Sequence, residues 1–218
     1  MAEMRAKAEP RERIDPAAVR INQMLTAGMI VSTAAAAIML FAGGWYRADW
    51  LIMLGIVILA GAFARGCLML PAHRPGKKRS RLLKGFQKYR LSGMILAFFY
   101  LAMLVFTIVK RKEGFFYPLP VMIITVLYAV FRIAALVLDM RLFAKTEGPY
   151  TAGLRILDLE DAVLSVLLII HVIAAALSGA FVASGFLWIF TAIVSVLLLA
   201  VSAYMVVFAE GEIRYYSD

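Results

Sequence analysis

Apolar residues follow one another along this chain in long unbroken runs, separated by short polar connections. A helix that crosses a bilayer needs about 20 mostly apolar residues. Six runs qualify, at roughly 20–43, 50–71, 91–109, 118–140, 159–178 and 185–208. None shows the period-2 alternation of an outer-membrane barrel strand, so helices are predicted. The punctuation agrees. Asp15-Pro16 reads as an N-cap with proline in the first helical position. Gly43-Gly44 closes the first span, and Gly148-Pro149 separates the fourth from the fifth. Between Lys77 and Leu91, the residues Leu82, Leu83, Phe86 and Tyr89 share one face, which predicts an amphipathic helix leading into the third span. The polar residues before the first span are too many for a usual cleaved signal, so that span reads as a retained helix. The expected organisation is a basic tail at 1–15, a transmembrane domain at 16–208 and a short tail at 209–218.

Composition turns this pattern into a class. The 218 residues are 63% hydrophobic and 17% charged, against roughly 45–50% and about 25% in soluble domains. Mean hydropathy is +0.86. A soluble domain and a disordered chain are thereby excluded, and the single Cys67 excludes a disulfide scaffold and any Cys-based metal site. The fold class expected is an all-α integral membrane protein, a bundle of six transmembrane helices. The spans also suggest three tandem hairpins, 1–2, 3–4 and 5–6. Ala27-Gly28-Met29-Ile30 matches Ser92-Gly93-Met94-Ile95, and at a similar offset Arg65 falls on Arg132 and Arg74 on Arg141.

Charge sets the orientation. Of the 23 Lys and Arg residues, 17 fall in the two tails and the second and fourth connections, and four in the other connections. The positive-inside rule then puts both termini in the cytoplasm of a cell (inner) membrane protein. The net charge of +9 is a topology signal rather than a nucleic-acid footprint. The basic segment 74–90 would also attract anionic lipid headgroups, at about 1 kcal/mol per basic residue. Trp45, Trp50, Trp188, Phe115, Phe116 and Tyr117 fall at the outer ends of spans, as an interfacial belt would. Gly28, Ser32 and Ala36 on span one, with Ala62 and Gly66 on span two, form small-residue stripes that let backbones meet, within one subunit, in a homo-oligomer or against a partner membrane subunit.

Two arginines remain that topology does not explain, and ionisable groups inside a membrane are functional candidates. Arg132 lies eight residues before Met140, about 12 Å from the end of its span. Thr125, Tyr128, Arg132 and Asp139 fall within about 60° of one another on a helical wheel. That stripe reads either as an anion-attracting lining or as a structural ion pair of Arg132 with Asp139 or with an acid of span five. Span five carries Glu160, His171 and Ser178 on one face, with Asp158, Asp161 and Ser165 beside it. Glu160 and Asp161 read as the first turn of that helix, where carboxylates complement the macrodipole. His171 is placed to titrate or to pack. Arg65 is expected to meet headgroups or to pair with Asp139, Glu160 or Asp161. Thr191, Ser195 and Ser202 form a hydroxyl stripe on span six, and Tyr100 is a further candidate liner. No P-loop, nucleophile elbow or metal-ligand spacing is present, so no catalytic residue, metal or cofactor is expected. The function expected is that of a transporter or channel with a polar cavity around Arg132, lined by Tyr128, Asp139 and His171, for a small polar or anionic solute. The alternative is a non-catalytic subunit or scaffold that docks partner helices.

Overall fold

A computed structural model describes residues 16–69, 78–110, 114–142, 149–178, 181–182 and 185–217. Six helices account for nearly all of them: α1 (Pro16–Tyr46), α2 (Asp49–Leu68), α3 (Lys78–Val109), α4 (Leu119–Leu142), α5 (Pro149–Ser178) and α6 (Gly185–Ser217). Each is long and apolar enough to cross a membrane, and the protein is thus of the multi-pass membrane class. Two short strands, β1 (Phe115–Phe116) and β2 (Phe181–Val182), pair antiparallel and join the α3–α4 and α5–α6 connections at one end. That end is called the aromatic end below, and the opposite one, where α2 gives way to α3, the basic end.

Local chemistry explains most boundaries. The first helix passes through Gly43-Gly44 and stops at Tyr46, where Arg47 adopts a left-handed φ of 52°. The Ala48 N–H then reaches back to the Gly43 carbonyl at 2.8 Å, the bond that closes a Schellman cap. Pro149 opens α5 in the position where a missing N–H costs nothing. Asp15, the N-cap expected for α1, lies outside the described residues.

Two helices are longer than the apolar runs predict. The fifth begins at Pro149 rather than near 159 because Thr151, Gly153, Leu154 and Leu157 already face the interior. At Gly153 a Cβ would come within 2.8 Å of Leu68, so α2 packs directly against this first part of α5. The sixth helix runs past 208 to Ser217, which makes a helical extension of the expected tail. It is tied to α3 by Arg90–Glu210 at 2.5 Å and by Arg79 Nε donating to the Tyr216 carbonyl at 2.6 Å.

The packing order departs from three tandem hairpins. The first two helices pair as expected, but α3 lies mainly against α6 and α4 mainly against α5. Among the described residues α3 does not pack on α4, and α5 meets α6 only lightly. The pairing is therefore nested, 4–5 inside 3–6. Close approach favours it on one side, since a Cβ at Gly93 would lie 2.9 Å from Met205 Cβ. Charge favours it on the other, because Arg132 of α4 finds its acid on α5.

The expected aromatic belt is also mostly inside. Trp50, Trp188, Phe115 and Tyr117 are buried, while Trp45 is exposed. The buried rings pack on one another instead of facing lipid, with Trp50 edge-on to Phe115 at 5.0 Å and to Trp188 at 6.0 Å.

Candidate functional site: a buried charge cluster and an aromatic plug

The stripe on α4 faces inward: Thr125, Tyr128, Arg132 and Asp139 are all buried. Arg132 is only 1% exposed, and its partner is Asp161 of α5, with Nε 2.8 Å from Oδ2. Its Nη2 donates to the Gly28 carbonyl at 2.7 Å and to Ser32 Oγ, both on α1. The guanidinium also stands over the Tyr128 ring, 5.4 Å from the centroid.

Arg65 of α2 completes the cluster. Its Nη2 lies 2.8 Å from Asp158 Oδ1 and 2.8 Å from Asp161 Oδ2. A longer contact of 3.4 Å runs from Nη1 to the Gly61 carbonyl in the preceding turn. One carboxylate oxygen, Asp161 Oδ2, therefore serves two guanidiniums from two different helices. A buried charge that is left unpaired is strongly unfavourable, so the shared acid and the two arginines hold one another in place.

Of the partners expected for Arg65, Asp161 is the one found, joined by Asp158; Asp139 and Glu160 make no ion pair with it. Asp139 does not pair with Arg132 either. It lies against Asp158, carboxyl to carboxyl. The seven residues that separate it from Arg132 amount to about 10 Å of helix, which puts it a level nearer the basic end. The helix-start role expected for Glu160 and Asp161 is corrected by the position of Pro149: both lie in the third to fourth turn of α5, too far in for the first-turn dipole effect.

Glu160 points away from the arginines. Its Oε1 lies 2.7 Å from Ser202 Oγ on α6 and its Oε2 3.5 Å from the Tyr100 hydroxyl on α3. The adjacent residues Glu160 and Asp161 thus reach all the other helices between them: Asp161 faces α2 and α4, whose Arg132 extends the network to α1, and Glu160 faces α3 and α6.

His171 does not belong to this cluster. Ten residues separate it from Asp161, about 15 Å along the same helix. It is fully buried at the aromatic end, stacked on Trp50 at 5.1 Å and met edge-on by Phe115 at 4.3 Å. Thr191 donates its hydroxyl to the Leu187 carbonyl at 2.7 Å, so the 2.9 Å contact between Thr191 Oγ1 and His171 Nε2 is filled by a proton on Nε2. Trp50 Nε1 donates to the Tyr117 hydroxyl at 2.5 Å. Burial pushes the Tyr117 phenol up from its ordinary value, so it stays a neutral acceptor. These groups form an aromatic plug. The expected lining of Tyr128, Arg132, Asp139 and His171 is consequently two separate sites.

Gly28 and Ser32, expected as packing residues, also receive the guanidiniums. A Cβ at Gly28 would stand 2.9 Å from Arg65 Nε and 3.0 Å from Arg132 Nη1, so the missing side chain makes room for both guanidiniums. Gly66 packs near Met29 and Gly61 near Asp161. A pocket of about 550 Å³ lies elsewhere, between α1, α2 and α3; Met29, Ile56, Leu59, Phe63, Ile95 and Phe99 line it, and none of the charged residues does. The expected lipid site falls partly on 70–77, outside the described residues. In the part that is described, Arg79 and Arg90 bind α6, and Lys88 Nζ donates to the Met69 carbonyl at 2.5 Å. Among the described residues no group of three or more His, Cys, Asp or Glu is placed to hold a metal ion. The sequence matches no family model and no curated protein.

Proposed function

We propose that this is a transporter-type protein of the cell (inner) membrane whose buried arginine pair binds a small anionic solute. The positive-inside count supports placing the basic end and both termini in the cytoplasm. One observation carries the reading: Asp161 Oδ2 is the shared counter-ion of Arg65 and Arg132. A solute carboxylate offers two guanidiniums the same acceptor geometry as Asp161, and a phosphate offers them more oxygens. It would take the place of Asp161, loosening the tie between α2, α4 and α5, so that binding and helix movement are linked. Thr125 Oγ1, Ser165 Oγ and Asp139 Oδ1 are buried without hydrogen-bond partners, which supports a solute with several polar atoms.

The scaffold reading has one observation in its favour, the complete closure of both guanidiniums by protein groups. Against it, the stripes on α1 and α2 that would dock a partner are consumed internally by the arginines and by α1–α2 packing. Uptake into proteoliposomes, with acetate, succinate and inorganic phosphate as probes, separates the two. The transport reading predicts uptake of at least one anion, abolished by Arg132→Lys, which keeps the charge and loses the planar fork. Full uptake and affinity in a folded Arg132→Ala variant would sink it. Absence of uptake for any probe, together with reproducible membrane partners in pull-downs, would favour the scaffold.

A further inference from the structure

Glu160 is 1% exposed, and no arginine or lysine lies within ion-pair distance of it among the described residues. Its two oxygens meet only hydroxyls, Ser202 at 2.7 Å and Tyr100 at 3.5 Å. Two acceptors compete for the one proton of Ser202. The Ser202 hydroxyl lies 3.0 Å from the Leu198 carbonyl one turn back. Thr191 and Ser195 on the same helix each donate to the carbonyl four residues earlier, at 2.7 Å. A hydroxyl has one proton and two acceptor sites. With that proton on Leu198, as in the turns of Thr191 and Ser195, the 2.7 Å contact is filled by a proton on the glutamate.

We propose that Glu160 is a proton-binding site inside the membrane, a carboxylic acid that donates to Ser202 and accepts from Tyr100. The groups facing it are consistent with this. From α3 come Tyr100 and Tyr89, from α6 Ser202, from α5 its neighbour Asp161, and from α2 Arg65, whose ion pairs are with Asp158 and Asp161. Charge balance agrees. Four buried acids (Asp139, Asp158, Glu160 and Asp161) accompany two buried arginines. Arg65 and Arg132 pair with Asp158 and Asp161, and the half-buried Arg155 acts on Asp139, which leaves Glu160 as the buried acid without a paired cation among the described residues. An unpaired carboxylate in a low-dielectric interior is so costly that such groups take up a proton instead.

The proton on Glu160 is bound reversibly. Its release leaves a carboxylate whose nearest cation is Arg65, held by the adjacent Asp161. Proton loss at Glu160 and weakening of the Arg65–Asp161 pair are therefore coupled through two consecutive residues. The site itself does not depend on whether Arg65 and Arg132 bind an anion.

Infrared spectroscopy of the purified full-length protein in lipid at neutral pH tests the site. The expected result is a carboxylic-acid C=O band that shifts in D₂O, is lost in Glu160→Gln and moves to higher frequency in Ser202→Ala. Labelling by a hydrophobic carbodiimide, read by mass spectrometry, should fall on Glu160. If Glu160→Gln retains the whole acid band and loses only carboxylate intensity, the proposal is overturned. Should that variant fail to fold, glutamate-specific ¹³C labelling of the wild type must move part of the acid band, and an unmoved band overturns the proposal equally.

Discussion

The two buried polar regions of this protein sit on the same helix and handle burial in opposite ways. At Asp158–Asp161, acids and arginines are paired with one another across α2, α4 and α5. At His171, the ring is packed against Trp50 and Phe115, hydrogen-bonded to Thr191, and makes no ion pair among the described residues. The first arrangement depends on partners that can be exchanged for others of like charge. The second depends on shape, and nothing in it attracts an ion. A polar residue inside a membrane span is therefore informative only together with its neighbours, and the difference is why the proposed anion site is set at the arginines.

Substitutions can break this contrast. The largest effect is expected for Asp161→Asn, which removes the acid paired with Arg132 and one of the two acids paired with Arg65; loss of one partner of a buried ion pair costs about 3–5 kcal/mol. Thermal denaturation in detergent should show it, and the Asp161→Asn change combined with Arg132→Met should cost less than the sum of the two. Additive losses would contradict a shared ion pair. Gly28→Ala comes next, at about 1–3 kcal/mol for a methyl group forced against packed side chains. It should destabilise the protein without replacing a charged residue, and a neutral result would mean that the guanidiniums do not dock on α1. His171→Phe is the smallest of the three. It keeps the stacking and loses one hydrogen bond, about 1 kcal/mol, so the variant should fold and, under the transport reading, keep its uptake. Loss of anion uptake in a folded His171→Phe variant would join the two regions that the geometry separates.

How much of this was readable from the sequence follows the same division. The six spans are plain in the apolar runs, because lipid demands continuous hydrophobicity. That Arg132 faces inward follows from its depth and from the inward stripe of Thr125, Tyr128 and Asp139. Its partner was not readable: span five offers three acids within four positions, and only the register of α4 on α5 selects Asp161. Gly28 and Ser32 carried a small-residue signal that is the same for helix packing and for guanidinium docking. His171 shares a face with Glu160 on the helical wheel, yet a wheel discards the distance along the axis, and that distance separates the two sites. The tryptophans misled for a related reason. Their positions at the ends of spans suit an interfacial belt equally well as an internal plug, and the choice depends on which face of each helix meets its neighbours.

The central claim is that Asp161 holds a place an external anion can take. Chemical rescue of Asp161→Ala tests it directly, by thermal denaturation during titration with acetate at constant ionic strength and with acetamide as the neutral control. The account predicts that acetate raises the melting temperature of Asp161→Ala in a saturable way, that acetamide does not, and that the additional change Arg132→Met removes the effect. An equal response to acetate and acetamide, or none to either in a folded variant, would contradict it.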